Sequence, residues 1–192
     1  MKAVSPRHAF DKRIAPELPR PTSQTRKEFY KGAAHALPFF VVIVPFAMLF
    51  GVLSAEAGLG PWETQIFSVA VFAGASQLAA LQLMQDQAPV LVILATGLAV
   101  NLRMMMYSVA LTPHLGAAPL GIRALIAYFL VDQSFALSLA EFEKNRSRTV
   151  AEKVAYFFGT VTPITAIWNV STAVGAHLGR AVPDTWGLDF AM

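Results

Sequence analysis

The feature that most constrains this chain is a series of five long apolar stretches, which cover approximately residues 31–55, 64–85, 87–122, 123–141 and 154–179. A membrane-spanning helix needs about 20 mostly apolar residues. The sequence therefore predicts an all-α fold, a multi-pass integral membrane helical bundle with about five transmembrane spans. The composition agrees, because 55% of the residues are hydrophobic and 14% are charged, whereas soluble domains are about 25% charged.

The first 30 residues differ from the rest of the chain. Residues 1–30 are basic and contain four prolines but no long apolar run. This composition predicts a disordered tail, with contact to anionic lipid as the alternative, and residues 31–192 form the predicted transmembrane domain. Most basic residues lie in the tail and in the loop between the fourth and fifth stretches. That distribution fits membrane topology better than nucleic-acid binding.

The same basic residues predict the orientation of the chain. Lysine and arginine are enriched in cytoplasmic loops. If the tail is cytoplasmic, the inner side carries twelve basic residues and the outer side carries two, Arg123 and Arg180. We therefore predict a cytoplasmic N-terminus and, after five crossings, an outward C-terminus.

Prolines and glycines inside the apolar stretches predict irregular helices. A proline inside a helix removes one backbone hydrogen bond and kinks the helix, and in lipid the freed carbonyl must find another partner. We expect helix breaks at four positions, Pro38, Pro45, Gly97 and Pro163. The third stretch is too long for one span and short for two, so we expect a full helix that stops near Pro113 and a half-helix after it.

Arg103 and Asp132 are the most informative polar residues, because they interrupt apolar stretches. A charge at the centre of a bilayer costs about 2.5–3.5 kcal/mol on insertion scales, so such a residue faces a partner or a polar pathway. Two interpretations stay open: a buried ion pair that only stabilises the fold, or a site in which Arg103 binds a substrate carboxylate while Asp132 titrates or binds an ammonium group. Three further residues are candidates for substrate binding or for hydrogen bonds between helices: Gln77, Asn101 and Asn169.

The spacing of Asn101 and Arg103 favours a local distortion. On a straight helix their side chains point about 200° apart. Both can reach a polar interior only if the helix unwinds there or if protein surrounds it. Unwinding near Asn101, eased by Gly97, would expose backbone groups of the kind that broken transporter helices use to hold anionic substrates.

No pattern in the sequence predicts an enzyme. A single intramembrane aspartate cannot form a catalytic pair, residues 74–77 do not match G-x-S-x-G, and the histidines lack metal-ligand spacing. The chain has no cysteine, so we expect neither a thiolate metal site nor a cofactor. It also has no phosphate-binding G-x-x-x-x-G-K-[ST] loop. Any transport must therefore draw on a gradient or on a partner.

Six sequence blocks resemble those of the AzlC family, the large subunit of bacterial branched-chain amino acid exporters. The resemblance runs from about Phe29 to the end of the chain. The blocks are Pro45-Phe46 with Phe50-Gly51, Phe72-Ala73-Gly74-Ala75-Ser76-Gln77, Val100-Asn101-Leu102-Arg103 with Tyr107, Asp132 with Phe135-Ala136-Leu137, Ala155-Tyr156-Phe157-Phe158-Gly159, and Gly187-Leu188-Asp189-Phe190-Ala191.

The resemblance implies a permease of the bacterial cytoplasmic (inner) membrane that exports branched-chain or similarly apolar amino acids. It also implies a small multi-pass AzlD-type membrane subunit as partner, and further apolar spans in relatives beyond the last block. This chain departs from the family pattern at Met104, where a histidine is expected, and at Gln133, where an acidic residue often stands. A proton relay through those two positions is not implied, and Asp132 is the remaining carboxylate.

Three functions follow from these observations. The first is a secondary exporter subunit in which Arg103 and Asp132 bind the two charged ends of an amino acid. The alternative is a non-transporting assembly or regulatory membrane subunit, in which the same two residues are a packing lock. An ion channel ranks last, because the polar residues are too few and too mixed to form a selectivity ring.

Overall fold

The structure, a computed structural model, describes residues 22–181. Within this part of the chain, helices alternate with short connections and there is no strand. The eight α-helices are α1 (Ser23–Ala36), α2 (Phe40–Glu56), α3 (Pro61–Ala70), α4 (Gly74–Gln85), α5 (Val90–Leu115), α6 (Leu120–Tyr128), α7 (Asp132–Lys144) and α8 (Val150–Ala181), and a 3₁₀ turn (Leu37–Phe39) joins α1 to α2. The predicted all-α helical bundle is confirmed.

The centre of the fold is a close pair of long helices. The joined segment Ser23–Glu56 packs along α8, and the contacts advance in the same direction on both, so the two helices run parallel. Glycines allow the approach: a Cβ on Gly159 would lie 2.1 Å from the Phe29 carbonyl oxygen, and one on Gly175 would lie 2.1 Å from that of Met48. Small residues at such contacts let membrane helices approach backbone to backbone.

Two of the predicted spans are each divided into two short helices. The second stretch, 64–85, is interrupted at residues 71–73 between α3 and α4, and the fourth, 123–141, at residues 129–131 between α6 and α7. The third stretch contains the predicted full helix, α5, which ends at Leu115, but the predicted half-helix is not confined to it, because α6 begins at Leu120 and lies mainly in the fourth stretch. Among the described residues, two helices are long and apolar enough to cross a bilayer unbroken: Ser23–Glu56, with mean hydropathy 2.5, and Val90–Leu115, with 1.7.

The helix breaks are not where prolines and glycines predicted them. Pro38 does lie in the 3₁₀ turn between α1 and α2, but Pro45 and Pro163 lie inside the continuous helices α2 and α8. These two helices are held by their packing against each other, and tertiary contacts of that extent override a local helix breaker. Gly97 also lies inside a continuous helix, α5, where its carbonyl accepts a hydrogen bond from Ser76 Oγ at 3.2 Å.

Helix α1 begins inside the segment that was predicted to be disordered. Helix α1 begins at Ser23 rather than after residue 30, because Thr22 caps it: its Oγ1 accepts the Thr25 backbone N–H, and Thr25 Oγ1 accepts that of Thr22. Such a reciprocal cap satisfies two backbone donors that the first turn leaves free. The rest of the tail, residues 1–21, lies outside the described residues, as does the block Gly187–Ala191.

A cluster of charges joins α1, α7 and the connection to α8 at one end of the bundle. Arg148 Nη1 lies 2.7 Å from Glu141 Oε1 and 3.0 Å from Glu28 Oε2, and Lys31 Nζ lies 2.7 Å from Glu141 Oε1. The Glu141 side chain is 7% exposed. The start of α1 and the basic loop before α8 therefore lie at the same end of the bundle. That this end is cytoplasmic stays a prediction.

Candidate functional site

The two helix breaks meet in the middle of the bundle. The Tyr128 hydroxyl, at the end of α6, donates a hydrogen bond to the carbonyl of Val69, near the end of α3. Phe72, in the first break, stacks on Tyr128 with ring centroids 6.3 Å apart and packs edge-on against Phe129, in the second, at 5.8 Å. Each break therefore supports the other.

Nearby side chains satisfy the backbone polar groups that the breaks expose. Gln77, fully buried in α4, donates from Nε2 to the carbonyls of Ser68 and Val71, the first at 3.2 Å. Ser134 Oγ, in α7, accepts the Val131 backbone N–H at 3.0 Å. Irregular backbone at membrane depth is tolerated only where such partners exist or where it lines a cavity.

A cavity of about 210 Å³ lies where the breaks meet. Helices α4 and α7 both begin at it, with Gly74 and Ala75 at the start of one and Asp132 and Gln133 at the start of the other. Most of the remaining lining is apolar and comes from α2, the breaks, α5 and α8: Val42, Ile43, Phe46, Phe72, Ala73, Met104, Val131, Ile164 and Trp168. Arg103 of α5 completes the lining.

Arg103 and Asp132 form an ion pair at this cavity. Arg103 Nη1 lies 3.0 Å from Asp132 Oδ2, and the Tyr107 hydroxyl donates to Asp132 Oδ1 at 2.9 Å. The Tyr107 ring stacks on Phe135, with centroids 4.1 Å apart. The side chains of Arg103 and Asp132 are 31% and 44% exposed, so a solute in the cavity can reach both.

The charges around the cavity favour an anionic group. The first amides of a helix have no partner within it and carry about half a positive charge, and two helices begin here. Arg103 adds a full positive charge, and its buried Nε has no acceptor among the described residues. Asp132 is the one acidic side chain in the cavity lining, so a carboxylate is favoured, and a cation is favoured only beside Asp132.

The structure brings together two of the five predicted substrate-binding residues, Arg103 and Asp132. The other three lie outside the cavity lining. Gln77 bonds to the first break. Asn169 Oδ1 accepts from Gln65 Nε2 at 2.7 Å, and its Nδ2 donates to the Thr165 carbonyl at 2.8 Å.

Asn101 lies on the other side of α5 from the ion pair. Helix α5 does not unwind there, which corrects the expected break near Gly97. Asn101 instead lines a separate, mostly apolar groove between α5 and the α3–α4 pair, in which its buried Oδ1 has no partner among the described residues. Asn101 and Arg103 could both face protein if α5 unwound or if protein packed on both sides of a straight helix. The structure has the second arrangement.

Sequence analysis missed three side chains at the site. Tyr107 occurs in a family block, but no role follows from its position alone. Trp168 and Phe46 are apolar residues in long apolar helices, and nothing in their pattern separates a cavity wall from ordinary packing. The one signal in the sequence is the run of small residues Ala73, Gly74 and Ala75, since small residues favour a close neighbour but do not identify it.

Comparison with known proteins agrees with the membrane fold. The family model described as AzlC protein matches residues 38–182. The inner membrane protein YgaZ of Escherichia coli K12 is 26% identical over 165 residues, which cover 85% of this chain and 65% of YgaZ. An uncharacterized membrane protein of Archaeoglobus fulgidus is 29% identical over 154 residues, covering 80% of this chain and 64% of that protein.

A third relative, an uncharacterized membrane protein of Helicobacter pylori J99, is 26% identical over 168 residues, covering 86% of this chain and 71% of its own length. The chain thus spans about two thirds of the curated relatives it matches, and slightly less for the first two. No solved structure matches it significantly. Since the family model covers most of the chain, this protein belongs to the AzlC family of membrane proteins.

Proposed function

We propose that this chain is a membrane subunit of a secondary exporter of branched-chain or similar apolar amino acids. The observation that carries the proposal is the cavity itself. It combines a guanidinium, a carboxylate and two helix N-termini with an apolar wall. An apolar amino acid presents the complementary groups: a carboxylate, an ammonium and an aliphatic side chain.

Binding would exchange the internal ion pair for pairs with the substrate. The substrate carboxylate takes the place of Asp132 on Arg103 and faces the first amides of α4, where a negative charge is stabilised. The ammonium group takes the place of Arg103 on Asp132. Because each unpaired charge costs several kcal/mol at low dielectric, a zwitterion needs both partners at once. The existing ion pair keeps both groups satisfied while the site is empty.

Helix breaks at membrane depth support a transport role. Transporters of several folds bind substrates where discontinuous helices expose their ends near the middle of the bilayer. Here α4 and α7 both begin at the cavity, and Arg103 lies near the middle of α5.

The proposal includes an AzlD-type small subunit as partner, as the family resemblance implies. Helix α5 offers it a surface. Six exposed apolar residues recur there at helical spacings of three and four: Leu91, Leu94, Leu98, Leu102, Met105 and Val109. Such a stripe lies along one face of a helix and packs against another helix or against lipid.

Substituting Asp132→Asn tests the exporter function. In bacteria that lack their own leucine exporters, the chain is expressed with an AzlD-type subunit and the cells are loaded with leucine-containing peptides. We expect the release of leucine to fall about tenfold or more in the variant, because a charge-assisted hydrogen bond contributes about 1.5–3 kcal/mol. Asp86→Asn, an identical change at an exposed position, is the control and should release leucine at the parent rate. Equal release from Asp132→Asn and the parent would remove Asp132 from the mechanism.

A second candidate is a non-transporting assembly or regulatory subunit, in which the ion pair is only a lock. The direct contact between Arg103 and Asp132 at 3.0 Å favours this second candidate. Exchanging the two residues, Arg103→Asp with Asp132→Arg, separates the two hypotheses. If the ion pair only stabilises the fold, the exchanged variant keeps the yield and partner association of the parent, and neither the variant nor the parent shows efflux. An exporter loses its efflux on exchange, because the substrate carboxylate and ammonium would each meet a like charge at the positions where Arg103 and Asp132 bind them.

A further inference from the structure

We propose that Trp168, held in place by Ser68 and flanked by Phe46, sets the upper size limit of the substrate side chain. This inference rests on the proposed exporter function, since it concerns the same cavity. It goes further by assigning the selection among amino acids to one apolar wall rather than to the charged residues. Every α-amino acid offers the same carboxylate and ammonium, so Arg103 and Asp132 cannot distinguish leucine from phenylalanine.

The volume of the cavity sets the scale of the limit. An apolar cavity of about 150 Å³ in another protein holds one benzene molecule, which has six non-hydrogen atoms. On that scale a cavity of about 210 Å³ holds about eight or nine non-hydrogen atoms. Valine has eight such atoms and leucine nine, whereas phenylalanine has twelve. A cavity of this size therefore fits an aliphatic amino acid, whereas an aromatic one must extend out of it or displace part of its wall.

Trp168 is the part of the wall that is both large and fixed. Its indole N–H donates to Ser68 Oγ at 2.9 Å, and both residues are buried, Trp168 at 9% and Ser68 at 0% exposed. Phe46 packs against it with ring centroids 6.0 Å apart. Met104, by contrast, is unbranched and can change shape to fit a ligand.

The Trp168 ring lies directly against the helix end to which we assign the substrate carboxylate. A Cβ on Gly74, the first residue of α4, would lie 2.6 Å from Trp168 Cη2 and 2.8 Å from Phe46 Cε1. Glycine at this position is what lets the two rings approach the start of α4. A substrate held there by its carboxylate has its Cα and side chain beside the indole, which cannot move further toward α4.

The other large residues of the cavity wall also pack against other parts of the bundle. Phe72 is held by Tyr128 and Phe129 where the two breaks meet. Ile43 and Ile164 are each 3% exposed and, like Trp168, belong to the packed core between α2 and α8. The indole is the largest of these side chains, so shortening Trp168 adds the most space to the cavity, with the loss of its hydrogen bond to Ser68.

The test measures a selectivity ratio, which does not depend on expression level. Cells that carry the parent chain or Trp168→Leu are loaded with equal amounts of leucine- and phenylalanine-containing peptides, and the release of both amino acids is followed. We expect the ratio of phenylalanine to leucine release to rise about tenfold or more in Trp168→Leu, since apolar pockets discriminate by about 10–200-fold per methylene-sized change. Trp62→Leu, the same change at a residue that is 81% exposed at the start of α3, should leave the ratio unchanged.

Ser68→Ala provides a second variant should Trp168→Leu fail to fold. It removes the hydroxyl that positions the indole and little volume, so the same ratio should rise by a smaller factor, with leucine release retained. An unchanged ratio in both variants, with leucine still released, overturns the size limit while the exporter function stands. If the parent itself releases neither amino acid above cells without the chain, the exporter function fails and the inference falls with it.

Discussion

Gln77 shows how a single side chain makes a helix break possible. In a continuous helix the carbonyls of Ser68 and Val71 would be bonded to later amides. Here the Gln77 amide nitrogen donates to both, the Val71 carbonyl also accepts the Ala73 backbone N–H, and the Gln77 side chain has no exposed surface. The same residue was a candidate substrate contact because a glutamine in an apolar span must face a polar group. Gln77 is indeed buried against polar groups, but these groups are backbone carbonyls of the chain itself.

We expect Gln77→Leu to lower the stability of the protein by about 1–3 kcal/mol, because the buried Ser68 carbonyl loses its Gln77 donor and the Val71 carbonyl keeps only the Ala73 backbone N–H. The measurement is thermal unfolding of the purified protein in detergent. Gln85→Leu makes the same change on the same helix at an exposed position and should unfold close to the parent temperature. Unfolding of Gln77→Leu at the parent temperature would show that the break does not depend on this side chain.

The same scale explains why Asp132 occupies the start of α7 rather than its interior. A carboxylate at a helix N-terminus is stabilised by the free amides of the first turn. Arg103 and Tyr107 add a charged and a neutral donor to the two oxygens. These contacts hold a carboxylate at the cavity, and a carboxylate is the partner that a substrate ammonium group requires.

At the scale of helices, the fold consists of one closely packed helix pair and two spans that are each divided into two short helices. The Ser23–Glu56 segment and α8 approach so closely that a Cβ on Gly51 would lie 2.3 Å from the Thr172 carbonyl oxygen and 2.6 Å from the Ala176 nitrogen. Those neighbours are backbone atoms and cannot rotate away. The α3–α4 and α6–α7 pairs are instead short helices joined by irregular backbone, and they carry most of the cavity's polar groups.

We expect Gly51→Ala to destabilise the protein by about 1–3 kcal/mol, the usual cost of overpacking, because the two helices must separate to admit the methyl group. Chemical or thermal unfolding in detergent measures the loss. Gly121→Ala is the matched control, since nothing lies within 4 Å of a Cβ there, and alanine is the better helix former. A parent-like stability of Gly51→Ala would mean that the close helix contact is absent in the membrane.

At the scale of the whole molecule, α7 links the cavity to the charged end of the bundle. Its first residue, Asp132, belongs to the ion pair at the cavity, and Glu141 near its other end contacts Lys31 and Arg148. The two sites therefore share one short helix. Any movement of α7 that opens the cavity at its first turn acts on the charge cluster as well.

We expect Glu141→Gln to lower the free energy of unfolding by about 1–3 kcal/mol, since it leaves Lys31 and Arg148 without their shared carboxylate. This loss is smaller than for a fully buried pair because Lys31 is partly exposed. The effect should shrink at high salt, which screens the exposed part of the cluster. Unfolding at low and high salt measures both, with Glu143→Gln at an exposed site as control. Identical curves for Glu141→Gln and the parent at low salt would contradict the prediction.

The amino-acid sequence alone predicted the class of fold and identified Arg103 and Asp132 as the charged residues that interrupt apolar stretches. Hydrophobic length and the cost of an unpaired charge are local quantities, which a single sequence contains. It also gave a family resemblance that the family model confirms. It did not determine where helices break, because a proline or a glycine sets only a local preference.

Only the tertiary structure decided that α2, α5 and α8 run unbroken while the helices break at residues 71–73 and 129–131. A backbone break inside a membrane is stable only where partners arrive from elsewhere in the chain. Here those partners include Tyr128 on Val69, from 59 residues away in sequence, and Trp168 on Ser68, from 100 residues away. Contacts at such separations exist only once the chain has folded, and they bring two helix ends, an arginine and an aspartate to one cavity.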